Sequence, residues 1–550
     1  MIPSRKQGMR HFSLIMNPFV ARCSKTGKIT GIQRDGNISR LLFPLIGVLA
    51  IVWFLVRVVP KPSRMLYPCQ RAALGIGSGL LAYTMMLFSS LALVQNLRRN
   101  LPGSLVTALV LIACLGGGAA VIISDSLYAD PAAAIGGPPE GSNHPLGTAR
   151  GIHPGRVVWV QDFDATRWDG KNGLWWDDNN TDQQRVEILF SRALQHLTGE
   201  STNAEAWDAL FRHHNQTNGR GGRGYQKNET ITIKLNCNTD GTPGERGEKK
   251  GHASTQVVYA LVKQLIEEAG VPGGCIILTD PSRHIGNPIY DKIRSNPNPE
   301  YQEVVFAGKA ERDEPQCLYA EPDMNCPIYF DMPDGTVRKF YFPKVFSQAT
   351  YMINAGQLRP HSIFGITLAG KNHFGSIYDG QAYQPSPLHA FAITDPHHPN
   401  QHGDPHCHPS LLGHQVTNGK TFLYMLDGLY TSYTQTGDVV RWSTMGNDWF
   451  SSLLLSEDPI ALDSVGFDFV QSEPNLTDGN ACFNGHADNY LHEAALADQP
   501  PSGAFYDPEK DGTKLKSLGV HEHWNNPVDR KYSRNLSRGG GIELIAVTGP

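Results

Sequence analysis

The stretch Ala253–Asp280, ASTQVVYALVKQLIEEAGVPGGCIILTD, carries a helical pattern and then a short β-branched run. It follows a second such run, ETITIKLN at 229–236. A strand, a helix and a strand in that order mark parallel strands joined by a crossover helix. The same alternation extends outward through RVVWVQD, TDQQRVEILFSRALQHL, TYMINAG, SIFGITLAG, TFLYMLD and IELIAV, all of which except the helical second read as strands. CPIYFDMPDGTVRKFYF predicts a hairpin, with Asp334-Gly335 supplying its turn. Residues 156–550 are therefore expected to form one α/β domain, a mainly parallel sheet flanked by helices with an embedded β-hairpin.

The preceding sequence has another character. Apolar runs at 41–59, 72–94 and 104–124 contain a single charge, Arg57. Each approaches the roughly 20 residues that a helix needs to cross a bilayer. About three transmembrane helices are expected over 41–124, after a basic tail at 1–40 and before an Ala/Gly/Pro linker at 125–155. Arg5, Lys6, Arg10, Arg22, Lys25, Lys28, Arg34 and Arg40 lie in the tail, and Arg98 and Arg99 follow the second run. No Lys or Arg then occurs before Arg150. Because such residues tend to stay cytoplasmic, three spans place the C-terminal domain outside the cytoplasm. Lys61, Arg64 and Arg71 run against that placement, and if the first run, which contains Pro44, does not cross, the domain is cytoplasmic instead.

A formal net charge of −4 and average composition give no reason to expect a nucleic-acid partner. Nine cysteines are present, but no C-x-x-C. A ferredoxin-type iron–sulfur cluster, a zinc ribbon and a thioredoxin-like dithiol are accordingly not expected.

In an open α/β sheet, ligands bind beyond the carboxyl ends of the strands. ETITIKLNCN ends at Lys234 and Asn236, GCIILTDPSR at Asp280 and Arg283, ITLAGKNHFGS at Lys371, Asn372 and His373, and TFLYMLDGLY at Asp427. If these strands are neighbours, two lysines, two carboxylates and an imidazole share one crevice. Lys234, Asp280, Lys371, His373 and Asp427 are the candidate catalytic residues, with Asn236, Arg283, Asn372 and Asp463 as ligand-binding candidates. Asp463 qualifies because an unpaired carboxylate in the apolar helix PIALDSVGFDFV is costly. Asp458, just before Pro459, reads as a helix cap.

The candidate metal ligands are His373 and Asp427, joined by His521 and His523, which share one side of an extended HEHW. An alternative is TDPHHPNQHGDPHCHP at 394–409, where His406 and His408 flank Cys407. Pro399, Gly403 and Pro405 make that stretch a loop, so it is equally well read as an exposed histidine-rich segment. GRGGRG at 219–224 fits a dinucleotide fingerprint formally, but it follows a helical pattern and precedes a strand, the reverse of the required context.

With KNHFGS, LDGLY, SEDPIALDSVGFDF and SLGVHEHWNN in view, the chain resembles the bacterial family catalogued as domain of unknown function 362. The likeness runs from about Gly151 to the C-terminus, and KPSRMLYPCQRAA at 61–73 is similar to family sequence as well. Some relatives are described as iron–sulfur proteins and carry ferredoxin-like cysteine clusters. This chain lacks such a cluster, so the resemblance does not imply electron transfer. The histidine-rich stretch lies between shared segments, as a variable insertion would. Two functions follow as expectations. One is a metal-assisted enzyme, in which a divalent ion held by His and Asp polarises a small molecule while Lys371 steadies negative charge. The other is a non-catalytic protein that binds a metal, cofactor or anion at the membrane.

Overall fold

The computed structural model describes residues 141–238, 249–309, 317–384, 386–391, 402–477 and 487–549, and the backbone of 20–22 and 29–32. The chain divides into units Met1–Tyr128 and Ala129–Pro550. In the first, Val20–Arg22 pairs antiparallel with Ile29–Ile32. The three apolar runs lie outside the described residues, as do His397, His398 and Cys482. Among the described residues no helix is long and apolar enough to cross a membrane.

In chain order the second unit contains strands β1 (Arg156–Gln161), β2 (Ile231–Lys234), β3 (Ile276–Asp280), β4 (Val305–Gly308), β5 (Leu318–Tyr319), β6 (Pro322–Asp331), β7 (Val337–Pro343), β8 (Tyr351–Gln357), β9 (Thr421–Gly428), β10 (Ser452–Ser456) and β11 (Glu543–Thr548). Nine of them form one sheet in the order β11-β1-β10-β9-β8-β2-β3-β4-β5. β10 is antiparallel to both its neighbours, and every other adjacent pair is parallel. β6 and β7 form the hairpin, with Gly335 at φ 79° in its turn. A left-handed residue there is what Asp-Gly supplies without a Cβ clash.

The helices used below are α1 (Gln183–Thr198), α2 (Asn203–Thr217), α3 (Thr255–Lys263), α4 (Asn287–Arg294), α5 (Leu368–Asn372), α6 (His408–Gly413), α7 (Pro459–Gln471) and α8 (Asn489–Ala495). Alternation along β1 shows how they cover the sheet. Val158 and Val160 pack in one core with residues of α1, α2, α3 and α4, whereas Val157 and Trp159 pack in another with α7 and α8. The result is a three-layer sandwich, as expected when a mostly parallel sheet buries both faces. α1 shows the local cause. Asp182 caps its first turn by accepting from the Arg185 N–H, and Val186, Leu189, Phe190, Leu194 and Leu197 form its buried stripe. Each such burial stabilises by about 1.5–3 kcal/mol, so Leu194→Ala would open the stripe at its centre.

Three expectations need correction. SIFGITLAG is not a sheet strand: only Gly365–Ile366 is extended, paired with Pro360–His361, and α5 follows. Leu368 takes φ 42°, and the Ala369 and Gly370 N–H groups donate to the Asp463 carboxylate. That buried anchor favours a turn where β-branched composition favours a strand. The expected linker ends sooner than its composition suggests. Leu146–Gly147 pairs with Val520–His521, and the Arg150 N–H donates to Asp458. Nor is the histidine-rich stretch a loop throughout, because His408 opens α6 and Pro409 occupies its first turn, where the missing N–H costs nothing.

Candidate functional site

A cleft of about 260 Å³ opens where β2 and β3 end, and α5 supplies its opposite wall. Lys234, Asn236, Asp280, Arg283, Lys371 and Asn372 all line it, joined by Arg359, His361, Phe374 and Gly375. Four cations thus face one carboxylate. Lys234, 1% exposed, pairs with Asp280 at 3.3 Å and donates to the Leu235 carbonyl and to Asn372 Oδ1. Burial lowers its pKa against the opposing pull of Asp280. Asp280 also accepts from the Cys237 N–H and the Ser282 hydroxyl. Asn372 ties α5 to the sheet by donating to the Lys234 carbonyl and to Asn354. Arg359 donates to Asn236 Oδ1 at 2.7 Å, and Arg283 reaches Asn238 Oδ1 through Nε and Nη2.

Lys371 is held differently. It is 7% exposed, and its Nζ lies 3.7 Å from the centroid of the Phe374 ring and 4.7 Å from that of Phe364. Among the described residues no carboxylate forms an ion pair with it. Burial lowers its pKa to about 7; Cys407 opposes the shift, while Arg283 and Arg359 add to it. An amine with that pKa exchanges protons near neutrality. Gly375 keeps the floor open, since a Cβ there would stand 2.5 Å from Ser282 Oγ and 3.0 Å from Asp280 Oδ1.

Three sequence candidates are not part of this lining. Asp427 accepts from the Ser254 and Leu429 N–H groups, so it serves the start of α3. His373 is fully buried, 3.5 Å from Ser376 Oγ and edge-on to Phe346. Burial, with the Lys234 charge, lowers its pKa to about 3. Neither His373 nor Asp427 belongs to any cluster of metal-ligand type among the described residues. The expectation that they share an ion is therefore corrected: one residue caps a helix and the other packs in an apolar layer. Asp463 accepts from Ala369 N, Gly370 N and Tyr490 Oη. It shapes α5 and does not face the ligand space. Burial raises its pKa to about 7 against those bonds.

The histidines gather elsewhere. His402, Asp488 and His492 form one group of potential metal ligands, and Asp488, His521 and His523 form a second that shares the aspartate. Asp488 and His492 lie one helical turn apart at the start of α8, and His521 and His523 alternate along an extended segment. His406, Cys407 and His408 form a third group, in which the two imidazole Nδ1 atoms are 2.6 Å apart. The His408 ring stacks on Tyr490 and lies 5.0 Å from Phe374. Sequence reading found His521 and His523 but missed Asp488 and His492. The signal was available in ADNYLHEAA, whose i, i+4 Asp and His share a helix face.

The fold and cleft define an α/β protein whose charged residues gather at the ends of parallel strands. Residues 231–468 match the model of the family described as Domain of unknown function (DUF362). The match spans β2 to α7 and includes every cleft residue named above. No curated protein matches the chain. Among solved structures, the lactate racemase apoprotein from Thermoanaerobacterium thermosaccharolyticum is similar at 12% identity and a TM-score of 0.29. That match covers 52% of this chain and 55% of the other, so it spans about half of each, and nothing is carried over from it.

Proposed function

We propose that the domain is an enzyme acting on a small anionic substrate, with Lys371 as its proton-transferring group. The observation that carries this reading is the cleft's charge: Lys234, Arg283, Arg359 and Lys371 surround a single carboxylate at the ends of parallel strands. Such a site favours carboxylate or phosphate groups, and the two guanidinium groups, each hydrogen-bonded to an asparagine, hold fixed positions. Burial without an ionic partner keeps Lys371 partly neutral near pH 7, so it can accept a proton, whereas the Asp280 carboxylate favours the charged form of Lys234. A domain that binds an anion without turning it over is the second reading, and it rests on the same charge.

Amine labelling of the full chain separates these readings from a merely structural lysine. Lys371 should react with cyanate with half-maximal rate near pH 7, and millimolar inorganic phosphate or malonate should protect it. Labelling only above pH 9, or no protection by either anion, would sink the proposal. If phosphate or malonate protects without Lys371 showing the low titration, the non-catalytic reading is the one retained.

The three apolar runs and the fifty residues from 100 to 149 without Lys or Arg support a membrane-anchored protein with this domain outside the cytoplasm. Fusions after residue 150 test this: active alkaline phosphatase agrees with it, and a bright cytoplasmic fluorescent fusion overturns it.

A further inference from the structure

We propose that His402, Asp488, His492, His521 and His523 form a buried centre for one divalent first-row transition-metal ion. The proposal is independent of the anion cleft and rests on how the donors are held. Asp488 Oδ2 lies 3.2 Å from His523 Nε2, and Asp488 Oδ1 lies 3.5 Å from His402 Nε2. Metal–nitrogen and metal–oxygen bonds of about 2.0–2.2 Å at tetrahedral angles place donors roughly 3.3–3.5 Å apart, so these two edges have the required length. The rings of His402 and His492, and of His492 and His521, have centroids 4.5 Å apart, and those of His521 and His523 are 4.8 Å apart. Asp488 is 1% exposed, and His492, His521 and His523 are likewise buried.

The outer hydrogen bonds give the arrangement its direction. His523 Nδ1 meets Asp468 Oδ1 at 2.6 Å, His521 Nδ1 meets Ser464 Oγ at 2.8 Å, and His492 Nδ1 meets the Asp488 carbonyl at 3.2 Å. Each of these three rings thus has Nδ1 engaged by an outer partner. A carboxylate, hydroxyl or carbonyl on the far nitrogen is how metal-binding histidines are oriented and made more basic. Asp468 is itself fixed, accepting from the Trp524 N–H and Tyr532 Oη. The loop bearing His402 is tied to α8 on both sides of Asn489, which accepts from the Gly403 N–H and donates to the Asp404 carbonyl.

Ordinary packing does not account for four imidazoles meeting one carboxylate. One protonated histidine neutralises Asp488, and a second brought to the same spot repels the first, whereas a divalent ion draws on the carboxylate and on imidazoles of the two ligand groups that share it. Imidazole with a single carboxylate and no thiolate suits zinc, iron(II), cobalt or nickel, in preference to calcium or magnesium, which take all-oxygen sets. His406, Cys407 and His408 are a weaker centre, with three donors adjacent in sequence and two of the nitrogens already hydrogen-bonded to each other.

The test is metal content and Co²⁺ titration of the full chain, with chelator-treated protein as the start. Wild type should bind one equivalent of Co²⁺ with visible ligand-field bands, displaced by Zn²⁺, and should melt at a higher temperature when loaded. His402→Ala, in the least buried position, and His492→Ala should each weaken binding at least about 100-fold. Asp468→Asn, which touches no metal, should weaken it about 10- to 100-fold. The double variant His406→Ala/His408→Ala should bind as wild type does. If His492→Ala fails to fold, His402→Ala and Asp468→Asn still decide the matter. Folded wild type that takes up no stoichiometric Co²⁺ or Zn²⁺ overturns the proposal. It is equally overturned if the double variant loses the ion while His402→Ala and Asp468→Asn keep it.

Discussion

The cleft and the histidine–aspartate centre bury polar groups by different means. Lys234, Asp280 and their neighbours sit at the ends of adjacent parallel strands, where register aligns Lys234 with Thr279, the residue before Asp280, and with Asn354. The centre draws its donors from a loop, α8 and a short extended segment, none of them in the nine-stranded sheet. Backbone pairing brings Lys234 and Asp280 together, and side-chain bonds of Asn372 and Asp463 hold α5 beside them. Side-chain hydrogen bonds, with Asp468 and Asn489 foremost, have to do it for the centre. The first arrangement should therefore fail through stability and the second through metal binding.

The largest effect should come from Lys234→Ala, which leaves Asp280 buried without its cation. Removing one partner of a buried pair costs about 3–5 kcal/mol, read as a lower denaturant midpoint with an unchanged slope. A loss below about 1 kcal/mol would mean that water reaches Asp280 and that the cleft is less sealed than its geometry implies. Next is metal loading of the centre: Co²⁺ at 100 times its dissociation constant should stabilise the fold by about 2.7 kcal/mol, and Lys234→Ala should leave that increment intact. Coupling between the two would show that the regions are not separable.

Protonation of Lys371 gives a smaller, pH-dependent effect. Folding lowers its pKa from the usual 10.5 to about 7. Between those values the unfolded chain binds the extra proton. This residue's contribution to stability therefore rises with pH across that window and is lost as pH falls through 7. Unfolding curves at pH 6.5 and 9 should show a slope that Lys371→Met flattens, and an equal slope in the variant refutes the assignment.

Asp427→Asn should cost about 1–3 kcal/mol, since its single amide oxygen can accept from only one of the Ser254 and Leu429 N–H groups and the amide nitrogen faces the other. It should leave both metal binding and anion protection unchanged, and loss of either would return Asp427 to a site. Smallest is Gly335→Ala at the hairpin tip, where φ 79° makes a Cβ cost about 1 kcal/mol with no effect at either region.

What the sequence by itself determined is the layered α/β fold and much of the cleft. The alternation of β-branched runs with amphipathic helices defines parallel strands, and parallel strands define where their charged ends meet, so Lys234, Asn236, Asp280 and Arg283 were legible as a group. Lys371 and Asn372 were legible as residues but not in their element. α5 replaces the strand because the Asp463 carboxylate, about ninety positions later, accepts its first N–H groups. β10 escaped notice because SLLLS is too short for periodicity to classify. Only the tertiary structure decided the histidine–aspartate centre. Its donors span positions 402 to 523, and local pattern records the pairs Asp488/His492 and His521/His523 but not the fact that they face each other. That convergence depends on α7, whose Ser464 and Asp468 reach across to His521 and His523, and such side-chain reach leaves no periodic trace in the chain. The same reason misassigned His373 and Asp427. A strand end shows where a polar residue sits, but the N–H groups and rings that enclose it come from distant segments, and they decide whether it caps a helix, packs in a core or faces a ligand.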